Sequence, residues 1–375
     1  MMKRKVSIVG AINIKALQGK TSPKIFIYRD AFEELGFETK LFSTNVKKIF
    51  FLQLIKNIKK AFIYGDTVVF MLGGKGSRQL LSLILYFKRK YKKRILLVPF
   101  GIGPLNPLLA KKDPVFVYNF INKNEFKNVK DKKVGLKLAK FDNILVQTAT
   151  LKKCFETFYS IDNVKILHNF RFATHLPDFK ITNSGHKSLK MIYISRITED
   201  KGVLDLMRSV QELNTAPEGY NITLDMYGAN HLENLSRELF FNLIKESNDK
   251  MRYLGTLPND QVIDTIRKYE VSCLPTKHIG EGAPGFIIES LIAGVPIITS
   301  SFSQVNDLIN DEVEGLIFEL GNTDSLKNSI LKLLNKKEIV TKMSKNALKT
   351  GQQYTFEYNE ERIKTLIIGG TIQRN

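Results

Sequence analysis

Two glutamates, Glu281 and Glu289, bracket a stretch of chain whose composition suits the binding of an anionic ligand. A strand is predicted to end at Leu274, and Pro284 is well placed to begin the next helix after a glycine-containing loop. Backbone N–H groups in the first turn of a helix have no partner within it, so they can hold a phosphate. The residues expected to bring backbone groups to that ligand are Gly282, Ala283, Gly285, Phe286 and Ile287.

Arg196 and Lys201 could supply positive charge to the same ligand. Arg196 follows the predicted strand Lys190–Ile194, and Lys201 is followed by Gly202 at the predicted start of a helix. Side chains at a strand end and at the next helix start can point to one place, where they would neutralise a diphosphate and stabilise its departure. Because the chain is rich in Lys and Arg, two unrelated surface cations are the alternative interpretation.

A glycine-containing loop over residues 10–23 is a third candidate. Gly19-Lys20-Thr21 is similar to the end of a P-loop, but that motif also needs a glycine five residues before Gly19, where this chain has Ile14. The prediction is therefore that Gly10 and Gly19 approach the phosphates of a ligand without forming a P-loop.

The spacing of the two glutamates, followed by Ala293-Gly-Val-Pro296, resembles the signature of the retaining GT-B glycosyltransferases of family 4, the glycosyl transferases group 1. The resemblance implies that Glu281 contacts hydroxyls of the donor sugar and that Glu289 binds the ribose. It also implies that the intervening amides hold the pyrophosphate, and that Arg196 and Lys201 act with Glu281 as the catalytic residues. No protein nucleophile, cofactor or metal is expected; the co-substrate is a nucleotide-diphosphate sugar, with UDP-sugars expected ahead of GDP-sugars.

The resemblance covers residues 5–355, but it is incomplete in the first half of the chain. Family members often carry a histidine after the fourth strand, and here that segment reads LLVPFGIGP. The catalytic residues of the N-terminal domain are therefore not carried over. The five histidines show no metal-ligand spacing, and only His278, beside Glu281, is a candidate for function.

Short β-branched runs alternate with amphipathic helical patterns along nearly the whole chain. This alternation predicts an α/β protein with parallel sheets covered by helices. The expected fold is GT-B, with two Rossmann-like, doubly wound domains facing each other across a cleft. The predicted divisions are an acceptor-side domain (1–169), a polar linker (170–187), a donor domain (188–352) and a C-terminal helix crossing back to the first domain (353–375).

The charge balance predicts an anionic partner, since 57 Lys and Arg face 37 Asp and Glu, giving a net charge of +20. Lys47–Lys60 reads as a basic amphipathic helix, with Phe51, Leu54, Ile55 and Ile58 on its apolar face. Together with the basic run Lys88–Arg94, it predicts docking on an anionic membrane surface, although an ordinary surface helix has the same pattern. Nucleic acid is not expected, because the basic residues lack interleaved aromatic residues.

The sequence favours an enzyme of surface-polysaccharide synthesis that transfers a sugar to a glycan or lipid-linked acceptor with retention of configuration. Two alternatives share the fold: a non-catalytic GT-B accessory subunit and a nucleotide-sugar 2-epimerase. No secretory signal or membrane-spanning run is apparent, and the two cysteines show no disulfide pattern. The expected location is the cytoplasm, peripheral on the inner face of the cell membrane.

Overall fold

The computed structural model describes residues 3–12, 24–45, 51–99, 132–173, 185, 187–278 and 281–369. These residues form two compact units. The first contains the described residues up to Phe170 together with 356–369, and the second contains those from Arg171 to Thr355. Each unit has its own six-stranded sheet in which every described pairing is parallel.

The first unit has the sheet order β2-β1-β3-β4-β5-β6. Its central strand β3 is buried along its whole length, which its unbroken apolar sequence requires because helices cover both faces. The strands are β1 (Lys5–Gly10), β2 (Glu38–Ser43), β3 (Thr67–Leu72), β4 (Arg94–Pro99), β5 (Asn143–Val146) and β6 (Val164–Ile166). The described helices are α1 (Lys24–Glu34), α2 (Phe51–Tyr64), α3 (Gly74–Tyr91), α4 (Lys132–Leu138) and α5 (Ala149–Tyr159).

The second unit has the sheet order β12-β11-β10-β7-β8-β9. Its strands are β7 (Ser188–Ile194), β8 (Asn221–Tyr227), β9 (Met251–Tyr253), β10 (Val271–Leu274), β11 (Ile297–Ser300) and β12 (Gly315–Phe318). Its helices are α6 (Val203–Thr215), α7 (Asn234–Glu246), α8 (Val262–Ile266), α9 (Gly285–Ala293), α10 (Thr323–Asn335) and α11 (Lys337–Gly351). Within the unit this is the strand order of a Rossmann domain.

The last described helix, α12 (Phe356–Ile368), belongs to the first unit although it follows the second in sequence. Its buried side chains Phe356, Ile363, Leu366 and Ile367 join the core beneath β1, β3 and β4. Thr67 at the start of β3 donates a hydrogen bond to the backbone oxygen of Ile367, 3.2 Å away. The prediction of two Rossmann-like α/β domains with parallel sheets is confirmed.

Two glycines in the second unit allow loops to pack backbone against backbone. Gly202, with φ +70°, precedes α6, and a Cβ there would collide with the carbonyl oxygen of Pro275, just after β10. Gly228, with φ +143°, follows β8, and a Cβ there would collide with the carbonyl oxygen of Ser195, just after β7. The loops at the carboxyl ends of β7, β8 and β10 are therefore held in direct contact.

Gly202→Ala should destabilise the second unit more than Gly219→Ala. Both glycines have φ near +70°, so both substitutions incur the left-handed strain of about 1 kcal/mol, but no atom lies within 4 Å of a Cβ at Gly219. The collision at Gly202 should cost a further 1–3 kcal/mol, roughly, in free energy of unfolding, measured by urea denaturation. Equal losses in the two variants would contradict the close packing of Gly202 on Pro275.

Candidate functional site

The candidate site lies at the point where the strand order of the second sheet reverses. β7 and β10 are neighbours, and their register pairs Met191 with Val271 and Ile192 with Ser272. The chain leaves these two strands toward opposite sides of the sheet, which opens a space at their carboxyl ends where α/β proteins bind ligands. The loop after β7 carries Arg196 and Lys201, and the loop after β10 carries Glu281.

Lys201 and Glu281 form an ion pair at this edge. The Lys201 Nζ contacts Glu281 Oε1, and the two side chains are only 10% and 12% exposed. Thr276 also contacts the carboxylate. Its Oγ1 lies 3.4 Å from Glu281 Oε1 and 3.2 Å from the backbone oxygen of Asp200. Gln304 Nε2 donates to the backbone oxygen of Glu281 at 3.1 Å. Residues 80 positions apart are thus fixed beside each other.

Burial controls the protonation of Lys201. It lowers the pKa of Lys201 to about 8, against the opposing attraction of Asp200. His278 lies in the same electrostatic environment, since burial and then the charge of Lys201 lower its pKa. A cation held in surroundings of low dielectric acts on a nearby charge more strongly than one in water.

Arg196 is placed differently from Lys201. Its side chain is exposed, and no carboxylate in the described residues lies within ion-pair distance of it. Its backbone oxygen accepts a hydrogen bond from the Tyr193 hydroxyl at 2.9 Å, which fixes the start of the loop. Arg196 and Lys201 share the loop after β7, and only Lys201 contacts Glu281.

The predicted anion site falls at the first turn of α9. The first backbone N–H of α9 that donates to an earlier carbonyl is that of Ile288, whose nitrogen lies 3.5 Å from the Pro284 oxygen. The N–H groups of 285–287 precede it and take no part in the hydrogen bonds of the helix. The side chains of Phe286 and Ile287 are buried in the core, so these residues can offer a ligand only backbone groups. Gly282, Ala283 and Gly285 are half-buried in front of them.

Glu289 lies over this turn and is paired with a residue that the sequence had placed in the linker. Arg171 Nε donates to Glu289 Oε1 at 2.7 Å, and the two side chains are 22% and 15% exposed. A Cβ built on Gly285 would lie 3.5 Å from the same carboxylate oxygen, which confirms that Gly285 and Glu289 share one side of the helix. No local pattern signals Arg171, because its partner is 118 residues away.

The two glycines predicted near the N-terminus have different outcomes. Gly10 ends β1 in the first unit, where a Cβ would lie 2.9 Å from Ile25 Cδ1 and 2.9 Å from the Met71 oxygen. This close packing of strand and helix accounts for a glycine at position 10 without a ligand. Gly19 lies outside the described residues. Within the described parts of the chain, no group of three or more His, Cys, Asp or Glu is placed to hold a metal ion.

One protein-family model matches most of the second unit. Residues 176–350 match the family model described as glycosyl transferases group 1. Among curated proteins, the UDP-Gal:alpha-D-GlcNAc-diphosphoundecaprenol alpha-1,3-galactosyltransferase of Escherichia coli is 24% identical over 236 residues, covering 59% of this chain and 58% of that protein. The capsular polysaccharide biosynthesis glycosyltransferase CapM of Staphylococcus aureus is 27% identical over 187 residues, covering 46% and 45%. The chain spans about half the length of the curated relatives it matches.

Solved structures show the fold of the whole chain. The Anabaena protein Alr3699/HepE in complex with UDP has a TM-score of 0.68 at 12% identity, covering 97% of this chain and 100% of that one. Sucrose-phosphate synthase from Thermosynechococcus elongatus has a TM-score of 0.69 at 13% identity, covering 98% and 99%. The fold is GT-B, as predicted. With the domain match, it supports a GT-B glycosyltransferase.

Lys201→Met should reduce the rise in stability of the protein with pH. Because the pKa of Lys201 in the folded state is about 8, below its usual 10.5, the unfolded chain binds more protons between these values. The free energy of unfolding should therefore increase through this window, by about 3 kcal/mol for this group, and Lys201→Met should lose that increment.

Chemical denaturation at pH 7.5, 9 and 10 measures the effect. These pH values run from below the pKa of Lys201 in the folded state to just below its usual value of 10.5. Lys327→Met is the matched control, because ion pairs with Asp324 and Glu212 raise the pKa of Lys327. If Lys201→Met and the unmodified protein gained stability equally with rising pH, the lowered pKa of Lys201 would be contradicted.

Proposed function

We propose that this chain is a glycosyltransferase that transfers a sugar from a nucleoside-diphosphate sugar to a glycan or lipid-linked acceptor, with retention of configuration. The observation that carries the proposal is the buried contact between Lys201 and Glu281, at the strand switch point and close in sequence to the N-terminus of α9. This contact places the Lys201 ammonium, which can stabilise a leaving phosphate, beside the Glu281 carboxylate, which can accept a hydrogen bond from a sugar hydroxyl.

In the proposed reaction, the bond between the anomeric carbon and the diphosphate oxygen breaks while a bond to the acceptor oxygen forms. The acceptor hydroxyl passes its proton to the departing diphosphate, so no protein nucleophile takes part. Lys201, Arg196 and the N–H groups at the start of α9 stabilise the charge on the leaving group. Glu281 accepts hydrogen bonds from the donor sugar, and Glu289 accepts them from the ribose.

The named relatives support the choice of substrates. The E. coli protein is named for a UDP-Gal donor and a diphosphoundecaprenol-linked acceptor, and CapM is named for capsular polysaccharide. HepE was solved with UDP and also with UDP-glucose. On these grounds we propose a UDP-sugar donor ahead of a GDP-sugar, a lipid-linked acceptor, and a role in surface polysaccharide synthesis. We propose separately that the reaction needs no metal or cofactor.

We further propose that the first unit docks on the anionic inner face of the cell membrane, through α2. Among the described helices, none is long and apolar enough to span a bilayer. Helix α2 packs Ile58 into the core, but it exposes Phe51, Leu52 and Ile63 by 59%, 74% and 58%. Phe51 belongs to the apolar face predicted for this helix, and its exposure leaves it available to a membrane surface. The exposed lysines Lys56, Lys59 and Lys60 accompany these apolar side chains, as in helices that lie in a membrane interface.

A panel of nucleotide sugars tests the function directly. Thermal stabilisation and slow hydrolysis should single out one donor, and transfer should follow when lipid-linked saccharides are added as acceptors. An accessory subunit would bind a donor or partner without hydrolysis or transfer, and an epimerase would convert the donor sugar without an acceptor. Failure of every nucleotide sugar to bind would reject the proposal.

Substitution of the two glutamates should separate sugar contact from nucleotide contact. Glu289→Gln should weaken binding of the free nucleoside diphosphate by about tenfold to a hundredfold, since it removes a charged acceptor from the ribose. Glu281→Gln should leave that binding nearly unchanged and lower transfer by about 10²–10³. Calorimetry and a transfer assay on both variants measure this, and equal weakening of the nucleoside diphosphate by both would refute the division.

Changing Lys56, Lys59 and Lys60 together to Glu should abolish binding to anionic vesicles. Each lysine near such a surface contributes about 1 kcal/mol, and the contribution falls with salt. The matched control changes Lys342, Lys345 and Lys349 on α11 to Glu, with the same change in net charge in the second unit. Co-sedimentation with vesicles should show loss of binding only in the α2 variant. Equal loss of binding in both variants would mean that net charge, and not α2, causes the binding.

A further inference from the structure

Arg171 is the residue near the candidate site to which the sequence assigned no role. Its backbone is fixed within the second unit, because its N–H donates to the Tyr354 oxygen at 2.9 Å and the residue forms an isolated parallel bridge with Thr355. The side chain then extends from this fixed backbone to Glu289 on α9, where Nε donates at 2.7 Å. A long side chain anchored at both ends is held in one place.

The guanidinium lies against the first residue of α9. A Cβ built on Gly285 would collide with Arg171 Nη2 and would lie 3.6 Å from Arg171 Cζ. A cation is disfavoured at the N-terminus of a helix, where the helix dipole is positive. Glu289, a single turn further along the same face, offsets that repulsion, so the arginine depends on the glutamate for its position.

Gly285 is explained by this arrangement. Its φ is not in the left-handed region, so the backbone conformation alone does not require glycine. The three nearest atoms to its missing side chain all belong to Arg171 and Glu289. The glycine therefore leaves room for a guanidinium directly in front of the first-turn N–H groups, which is the place where a phosphate would bind.

We propose that Arg171 is a third cationic residue of the diphosphate site, positioned by Glu289 and contacting the phosphates from the side of α9. The inference rests on the proposed function and adds a residue to it. A guanidinium can donate two parallel hydrogen bonds to a phosphate, which an ammonium cannot. A bound phosphate would also remove the repulsion between the arginine and the helix dipole. Glu289 thus has two tasks, orienting Arg171 and binding the ribose.

The test compares a nucleoside diphosphate with the nucleoside that lacks its phosphates, by calorimetry. UDP, GDP and ADP are screened first, and the best ligand is then compared with its own nucleoside. Arg171→Gln should weaken the diphosphate at least about tenfold, the effect of losing a charged hydrogen bond, and leave the nucleoside unchanged. Arg171→Lys should give an intermediate loss, and it keeps the measurement possible if Arg171→Gln unfolds.

The controls separate a phosphate contact from a structural role. Arg237→Gln removes the same charge from an exposed position on α7 and should change neither affinity. Equal weakening of nucleoside and diphosphate by Arg171→Gln would mean that Arg171 only positions Glu289, and would overturn the inference while the proposed function stood. Unchanged diphosphate affinity would overturn it in the same way. If the unmodified protein bound none of the diphosphates, both the inference and the proposed function would be rejected.

Discussion

The reversal of strand order between β7 and β10 is the constraint on which the candidate site depends. In a parallel sheet every strand ends at the same edge, and at this point alone in the second sheet the following helices diverge. The loops after β7 and β10 therefore meet without a helix between them. Gly202 and Gly228 allow these loops to pack closely, because each glycine lies against a carbonyl oxygen of a neighbouring loop. This packing brings Lys201 to Glu281.

The burial of the Lys201–Glu281 pair is not by itself a source of stability. Removing an ammonium and a carboxylate from water carries a penalty that their mutual attraction often fails to recover. The lowered pKa of Lys201 shows that burial dominates its environment. Perturbed titration in a loop at the ligand-binding edge of a sheet is characteristic of active sites.

The sequence predicted the sheets well because buried parallel strands leave a strong local pattern. The strand predicted over Lys190–Ile194 is β7, which begins two residues earlier, and the strand predicted to end at Leu274 is β10, which ends there. Pro284, predicted to begin the next helix, is the residue directly before α9, which begins at Gly285. The glutamate and cation segments were found because each is contiguous and resembles a family motif.

The sequence does not predict which side chains pair when they lie far apart along the chain. The polar composition after Phe170 gives no reason to connect Arg171 with Glu289, which lies 118 residues later. The sequence likewise does not show that Phe51 is exposed while Ile58, on the same apolar face, is buried. Helical periodicity identifies one face of α2, whereas the packing of the first turn depends on neighbours that are distant in sequence.

The pairing of both glutamates resolves an apparent conflict in the proposed chemistry. Two free carboxylates beside a diphosphate site would repel the ligand, and their repulsion would be strong where water is scarce. Here each carboxylate contacts a cation from a distant segment, Glu281 with Lys201 and Glu289 with Arg171. In the proposed reaction, this pairing would let the glutamates accept hydrogen bonds from sugar and ribose hydroxyls while the cations contact the phosphates. A site that must bind hydroxyls and phosphates side by side needs this local matching of charge, and neither the glutamates nor the cations could perform the function alone.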